Sequence, residues 1–278
     1  MTPTDRFDQP DDQLPPGRVD FGPLNSQRGR QWLMQSLVQV LKPTAIIETG
    51  TYLGRTTQWF AEHYDGPIYT IEADAELFAW TAPRLNASSQ ITALLGDSRI
   101  ALARWATDDT VPKDRVLFYL DAHWNSDLPL KEEVSTITGA WRDSAIVIDD
   151  FRVPHDWGYR FDDYGPGRAL TLSHLDGVAP GMTPLFPTLP SAQETGARRG
   201  MVLLVSTSRV SELVSQLPLV ESPWPRWPTL EDRYQRIAAK GFRQARRASI
   251  HARHPLVSLS SLRQRAPGRS GRKRPNAR

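Results

Sequence analysis

Five apolar runs in this 278-residue chain end in carboxylates. Glu48 closes TAIIET (44–49), Glu72 closes PIYTIEA (67–73), and Asp97-Ser98 follow ITALLG (91–96). Asp121-Ala122-His123-Trp124 follow RVLFYL (115–120), and Asp149-Asp150 close SAIVIDD (144–150). A buried strand that ends in a charge loses hydration energy unless the charge is paired, solvated or at work. One such acid is ordinary, because Asp also caps the helix that follows. Five together point to a shared site. The first turn, Gly50-Thr51-Tyr52-Leu53-Gly54, is neither G-x-x-x-x-G-K-[ST] nor G-x-G-x-x-G. A phosphate cradle with its lysine is therefore excluded, and close approach of a dinucleotide pyrophosphate is poorly supported. An acidic edge beside a glycine-bearing turn suits a ligand with cationic parts and free hydroxyls. Glu72 lies about 20 residues past that turn, where an acid can accept both ribose hydroxyls.

The elements that must position these residues alternate. Apolar residues at helical spacing predict a helix over 26–41, stopped by Pro43, before the first strand. Helices are predicted over 53–64, 74–85 (disturbed by Pro83), 97–106 and 129–141, each between two of the five runs. Short apolar strands separated by such helices predict an α/β, Rossmann-like, doubly wound sheet of about seven mostly parallel strands, with helices on both faces. Right-handed crossovers then bring the strand C-termini to one edge, where ligands bind near the switch in strand order. From 151 to 200 a Gly/Pro/aromatic-rich region predicts loops over that edge. A strand at 200–206 and a short helix at 210–217 follow. The domain is expected to run from 26 to 228.

Composition fits a folded protein: 39% of residues are hydrophobic and 9% aromatic. No apolar run approaches the roughly 18 to 20 residues that span a bilayer. The first 25 residues are a Pro- and Asp-rich lead-in, expected to be disordered, without the layout of a signal peptide. With no cysteine there is no disulfide framework or thiolate metal site, and a cytoplasmic location is the expectation. The net charge of +3 conceals an asymmetry. Residues 234–278 hold 13 Lys/Arg and no Asp/Glu, leaving 21 basic against 31 acidic residues in 1–233. The tail from 229 is thus expected to be largely disordered, either simply solvated or able to hold nucleic acid electrostatically.

Glu48, Gly50 and Gly54 as E-x-G-x-x-x-G, the acid after the second strand, GDS after the third and the Asp ending the fourth resemble a class I S-adenosylmethionine-dependent methyltransferase over roughly residues 26–206. YLDAHW…PL…E with VIDDF is similar to the metal-dependent O-methyltransferases that include the macrocin/TylF-like and methyltransferase-24 group. The resemblance implies that Gly50, Thr51, Tyr52 and Gly54 approach the methionine portion of the cofactor. Glu48 would sit near its amino group or hold the loop, Glu72 would take the ribose, and Gly96, Asp97 and Ser98 the adenine edge. It further implies Mg²⁺ on Asp121, Asp149 and Asp150, with Asp121 beside the cofactor's reactive end; hard oxygen ligands suit that ion. Alternation along a strand need not turn both Asp149 and Asp150 towards the metal.

Methyl transfer from a sulfonium to an alcohol is an in-line displacement that needs alignment and removal of the hydroxyl proton. His123, with an ordinary pKa of about 6.5, is a candidate base. The sugar-methylating relatives tend to carry an acid there, so the imidazole could instead be a metal ligand, or a strand-end histidine bonded to a carbonyl. Trp124, His155, Trp157 and Tyr159, with the acids of FDDYG (161–165), are candidates to line the acceptor pocket or to form a small satellite core. The acceptor is expected to be a small hydroxyl-bearing molecule, such as a sugar or natural-product intermediate. Two rivals remain: a metal-dependent hydrolase or hydroxylase on the same fold, and a methyltransferase-like binding protein whose tail holds nucleic acid. The 26–41 helix is a candidate for packing against a second subunit.

Overall fold

Apolar runs of five residues become central strands here because both of their faces are covered, leaving no solvated face for polar residues. Our computed structural model describes residues 14–123 and 127–222. In it β1 (Ala45–Thr49) and β4 (Val116–Leu120) are buried at every position. Around them lie β2 (Ile68–Glu72), β3 (Ile91–Leu95), β5 (Ala145–Ile148), β6 (Met182–Pro187), β7 (Val202–Ser206) and β8 (Leu219–Glu221). The eight strands form one sheet in the order β3-β2-β1-β4-β5-β7-β6-β8. β1 to β5 pair in parallel, whereas β7 runs antiparallel to β5 and β6, and β8 antiparallel to β6. The order turns back between β1 and β4, so the two halves of the edge diverge there and leave a crevice.

The helices are α1 (Arg28–Leu41), α2 (Arg55–His63), α3 (Ala75–Leu85), α4 (Ser98–Thr107), α5 (Leu130–Ala140) and α6 (Val210–Gln216). Leu102 and Trp105 of α4, with Val134 and Ile137 of α5, share a core with Ile47, Phe118 and Ile146. Leu33, Met34 and Leu37 of α1, Trp59 and Phe60 of α2 and Leu213 of α6 share the other with Ile46, Leu117, Val147 and Leu203. Alternate residues of β1, β4 and β5 thus face opposite layers, as a strand's period of two requires. The apolar stripe of α1 is buried on the sheet, and Trp32 remains exposed.

The structure departs from the sequence reading at the far side of the sheet. β6 lies within the segment read as loops, because Pro184 and Pro187 interrupt the strand signal. Its neighbour β8 spans only three residues. α3 continues through Pro83 to Leu85; the missing N–H falls in its last turn. α1 starts at Arg28, not 26, because Leu24, Asn25 and Ser26 take positive φ values of 52°, 61° and 54°. Glu194 then caps α1 from a distance, accepting the N–H groups of Gly29 (3.0 Å) and Arg30 (3.1 Å). Trp124, residues 1–13 of the lead-in and the basic tail from 229 lie outside the described residues. No helix among the described residues is long and apolar enough to cross a membrane.

One contact ties the centre of the sheet to its functional edge. Gly50 has φ +85°, and a Cβ there would stand 2.4 Å from the carbonyl oxygen of Asp121. Gly50→Ala is expected to destabilise the protein by about 2–4 kcal/mol, from backbone strain plus the clash. Urea unfolding measures this, and a loss below about 1 kcal/mol would show that the two strand ends separate freely.

Candidate active site

The glycine turn after β1 is built as a rigid backbone cradle. Glu48, 1% exposed, accepts hydrogen bonds from the Thr57 and Thr70 hydroxyls and so locks α2 to β2. Burial pushes Glu48 up to about 7. Thr51 and Thr70 share a hydroxyl–hydroxyl bond of 2.6 Å. Glu72 accepts the Tyr52 N–H (2.7 Å) and the Asp74 N–H (2.8 Å), which fixes the turn against the end of β2. Burial raises its pKa as well. Gly54 starts α2 at φ +71°, and a Cβ there would stand 2.7 Å from Thr81 Cγ2. The Gly96 N–H donates to the Glu72 carbonyl (2.8 Å), bringing the β3 end beside it. Asp97 caps α4 through the Arg99 N–H (2.9 Å) and pairs with the Arg99 side chain, which holds its carboxyl below the usual range. Ser98 is buried at the start of α4.

A strap from the lead-in lies along this turn. Val19 exchanges two hydrogen bonds with the Tyr52 hydroxyl (3.1 and 3.0 Å), Arg18 pairs with Asp74 at 2.5 Å, and Asp20 pairs with Arg55 at 2.8 Å. Sequence periodicity carries no signal for such a strap, since its bonds use backbone groups and local charge pairs.

The ends of β4 and β5 carry a second, charged group. Asp149 lies on the Ala145–Val147 side of β5, the face that α1 covers. There it pairs with Arg30 of α1 and accepts from Tyr119 Oη (2.6 Å), Asn25 Nδ2 (3.0 Å) and the Asp150 N–H (2.6 Å). Burial alone would raise Asp149, but Arg30 and the Tyr119 hydroxyl hold it below its ordinary value. Asp150, with φ +53°, turns away from that pocket and pairs with Arg199, which also pairs with Asp162. Asp162 is in turn bonded by the Tyr164 hydroxyl, which lies 3.0 Å from the His123 carbonyl oxygen.

Of the three acids assigned to a metal from sequence, Asp121 and Asp150 come together and Asp149 does not join them. His123 takes the third position: one ligand atom each from Asp121, His123 and Asp150 lies within 4.8 Å of the others. The His123 side chain is 2% exposed, its Nε2 stands 3.6 Å from Asp121 Oδ1, and that nitrogen has no hydrogen-bond partner. Burial pushes His123 down to about 4, so the imidazole is neutral near pH 7. Asp121 is raised well above the carboxylate range by its enclosure and by Asp149 and Asp150. Asp150 is raised to about 7 by burial and by Asp149. Four aspartates (121, 149, 150, 162) thus face two arginines (30, 199), and this crowding shifts Asp121 and Asp150 towards their protonated forms. Such a set can hold a divalent cation.

A cavity of about 560 Å³ is lined by Trp32 and Leu33 of α1, Tyr159, Leu189, Met201 and Arg199, among others; of the charged group only Arg30 and Arg199 reach its wall. Tyr159 donates to the Leu189 carbonyl (2.9 Å). His155 is exposed, lies 3.2 Å from the Pro187 carbonyl oxygen and packs edge-on to Phe186, so it belongs to the outer rim of the β6 end. Trp157 lies under the Arg152 guanidinium, at 4.0 Å. Arg30 and Arg199 were missed in the sequence. The signal for Arg30 was present, a lone cation on the apolar side of a helix. Arg199 lay in a segment without periodicity.

No family model and no curated protein matches the chain. Among solved structures, it is similar to the Bacillus cereus O-methyltransferase determined with SAH, at 16% identity over 70% of this chain and 84% of that one, with a TM-score of 0.47. It is also similar to TomG, the Streptomyces achromogenes O-methyltransferase of tomaymycin synthesis determined with SAM, at 19% identity, 64% and 79% coverage and a TM-score of 0.47.

The buried acids set a pH signature. Glu48, Asp150 and Glu133, a buried residue of α5, are each raised by burial to about 7. Their unfolded values are about 4, so folding favours their protonated forms. That contribution is full below about pH 4 and is lost as pH rises through about 7. Asp149 has the opposite sign, and its contribution disappears only on acidification below its unfolded value. The Tm of divalent-free protein should therefore fall from pH 5.5 to pH 8. A flat or rising Tm over that window would contradict these assignments.

Proposed function

We propose that the protein is an S-adenosylmethionine-dependent O-methyltransferase acting on a hydroxyl of a small molecule, with a divalent cation at the acid cluster. The observation that carries this reading is the packing of Gly50 onto the backbone of Asp121. It puts the cofactor-type cradle and the charged group side by side on one sheet edge. The cradle side offers a glycine turn, a buried acid for a ribose, and the capped start of α4 for a purine edge. The resemblance implies Mg²⁺, and the fit is supported by two acids and an unpartnered buried imidazole.

Each residue then has a task. Glu72, fixed by two backbone N–H groups, accepts ribose hydroxyls through its remaining lone pairs. Arg199 holds Asp150 and Asp162, keeping the acceptor side in one arrangement. Asp121, His123 and Asp150 would hold such a cation, which would supply Lewis-acid lowering of a hydroxyl pKa. Asp121, whose side chain is 37% exposed, stands where a hydroxyl oriented at the cluster would meet it. The adjacent cavity takes the body of the acceptor. Its apolar walls favour an aromatic or aliphatic scaffold bearing the hydroxyl over a bare sugar.

Isothermal titration should show one S-adenosylmethionine bound per chain, with affinity reduced about tenfold or more in Glu72→Ala. In Asp121→Asn, methyl transfer should fall by about 10²-fold or more while cofactor affinity is retained. No binding with or without divalent cations would sink the methyltransferase reading and return the hydrolase or hydroxylase alternative.

The acceptor side makes a separate prediction. Once a panel of phenols, aliphatic alcohols and sugars has identified an acceptor, Trp32→Ala should raise its KM roughly tenfold without changing cofactor affinity. Trp32 is 56% exposed, so its removal leaves the core intact. An unchanged KM would place the acceptor elsewhere.

A further inference from the structure

We infer that Asp121, His123 and Asp150 form a mixed nitrogen–oxygen site that prefers a first-row transition-metal dication, Mn²⁺, Fe²⁺, Co²⁺ or Zn²⁺, over Mg²⁺. The two aspartates of the β5 end have different environments. Asp149 is 1% exposed and already has four partners: Arg30, Tyr119, Asn25 and the Asp150 N–H. Those four partners take up the roughly four lone-pair sites of its carboxylate. Asp150 and Asp121 share no such enclosure with Arg30, and their ligand atoms lie with a histidine nitrogen inside a 4.8 Å cluster.

His123 carries the selectivity. Its ring is almost fully buried, yet Nε2 has no hydrogen-bond partner and points at Asp121 at 3.6 Å. A buried donor or acceptor left unmatched is costly, and a metal bond is one way to satisfy it. Two carboxylates with one imidazole resemble the mixed N/O facial sets that hold first-row transition-metal dications. Mg²⁺ keeps to oxygen ligands and holds its waters. Asp150 remains available although Arg199 grips both its oxygens, because a carboxylate has about four lone-pair sites.

The inference concerns the site of the proposed methyl transfer, but its test is independent of cofactor binding. Full-length protein, stripped with a chelator, is titrated calorimetrically with Mn²⁺, Co²⁺ and Mg²⁺ without S-adenosylmethionine. The expected result is one equivalent of Mn²⁺ or Co²⁺ bound at least about tenfold tighter than Mg²⁺, with His123→Gln erasing most of that margin. Pulsed EPR of Mn²⁺-loaded wild-type protein should show a coupled ¹⁴N nucleus, a readout that needs no variant. Equal or tighter Mg²⁺ binding, or a Mn²⁺ centre without nitrogen coupling, would overturn the inference. Metal binding as described with no S-adenosylmethionine binding would uphold it and refute the methyltransferase reading. The reverse pattern would do the opposite.

Discussion

A buried ion pair between Arg30 and Asp149 organises the β4–β5 end of the sheet edge. Both side chains are almost completely enclosed, so neither charge is tolerable without the other. The pair fastens the start of α1 to the end of β5. Around it, Tyr119 and Asn25 complete the carboxylate's hydrogen bonds, and the Arg199 carbonyl accepts from the far side of the guanidinium. Gln27 reinforces the same junction by exchanging two bonds with the Arg199 backbone. The segment around 199 is thereby anchored, and the Arg199 side chain is left facing Asp150 and Asp162.

This arrangement divides the work of two adjacent aspartates. Asp149 is a structural anion, neutralised from within the fold. Asp150 belongs to the open edge, where Asp121 and His123 stand. The division follows from strand alternation, which cannot present consecutive side chains to the same layer. The positive φ at Asp150 completes the turn away from α1.

The switch in strand order between β1 and β4 supplies the second constraint. On one side, Glu48 and Glu72 act on the protein's own backbone and hydroxyls, making the glycine turn rigid. On the other, the β4 and β5 ends bring Asp121, His123 and Asp150 together. Only a glycine at position 50 lets these two halves touch. A ligand bridging them would meet a hydrogen-bonding cradle at one end and a charged, partly enclosed group at the other. That is the environment which group transfer between two bound molecules requires.

Much of this was legible in the sequence. Apolar runs ending in acids placed the first five strands, and their alternation with helices implied the parallel sheet and its common edge. The glycine spacing and the acids at 48, 72, 97, 121 and 149–150 were read directly, because local patterning alone fixes which residues end each strand. The far side of the sheet was obscured, since β6 carries two prolines and β8 is only three residues long. What the tertiary structure alone decided was partnership. Arg30 and Arg199 lie 119 and 49 residues from the aspartates they neutralise. No local pattern records which carboxylate such distant cations will claim. That choice depends on how α1 and the 151–200 segment pack against the edge. It made Asp149 structural, left Asp150 with Asp121, and put an unpartnered His123 nitrogen beside them.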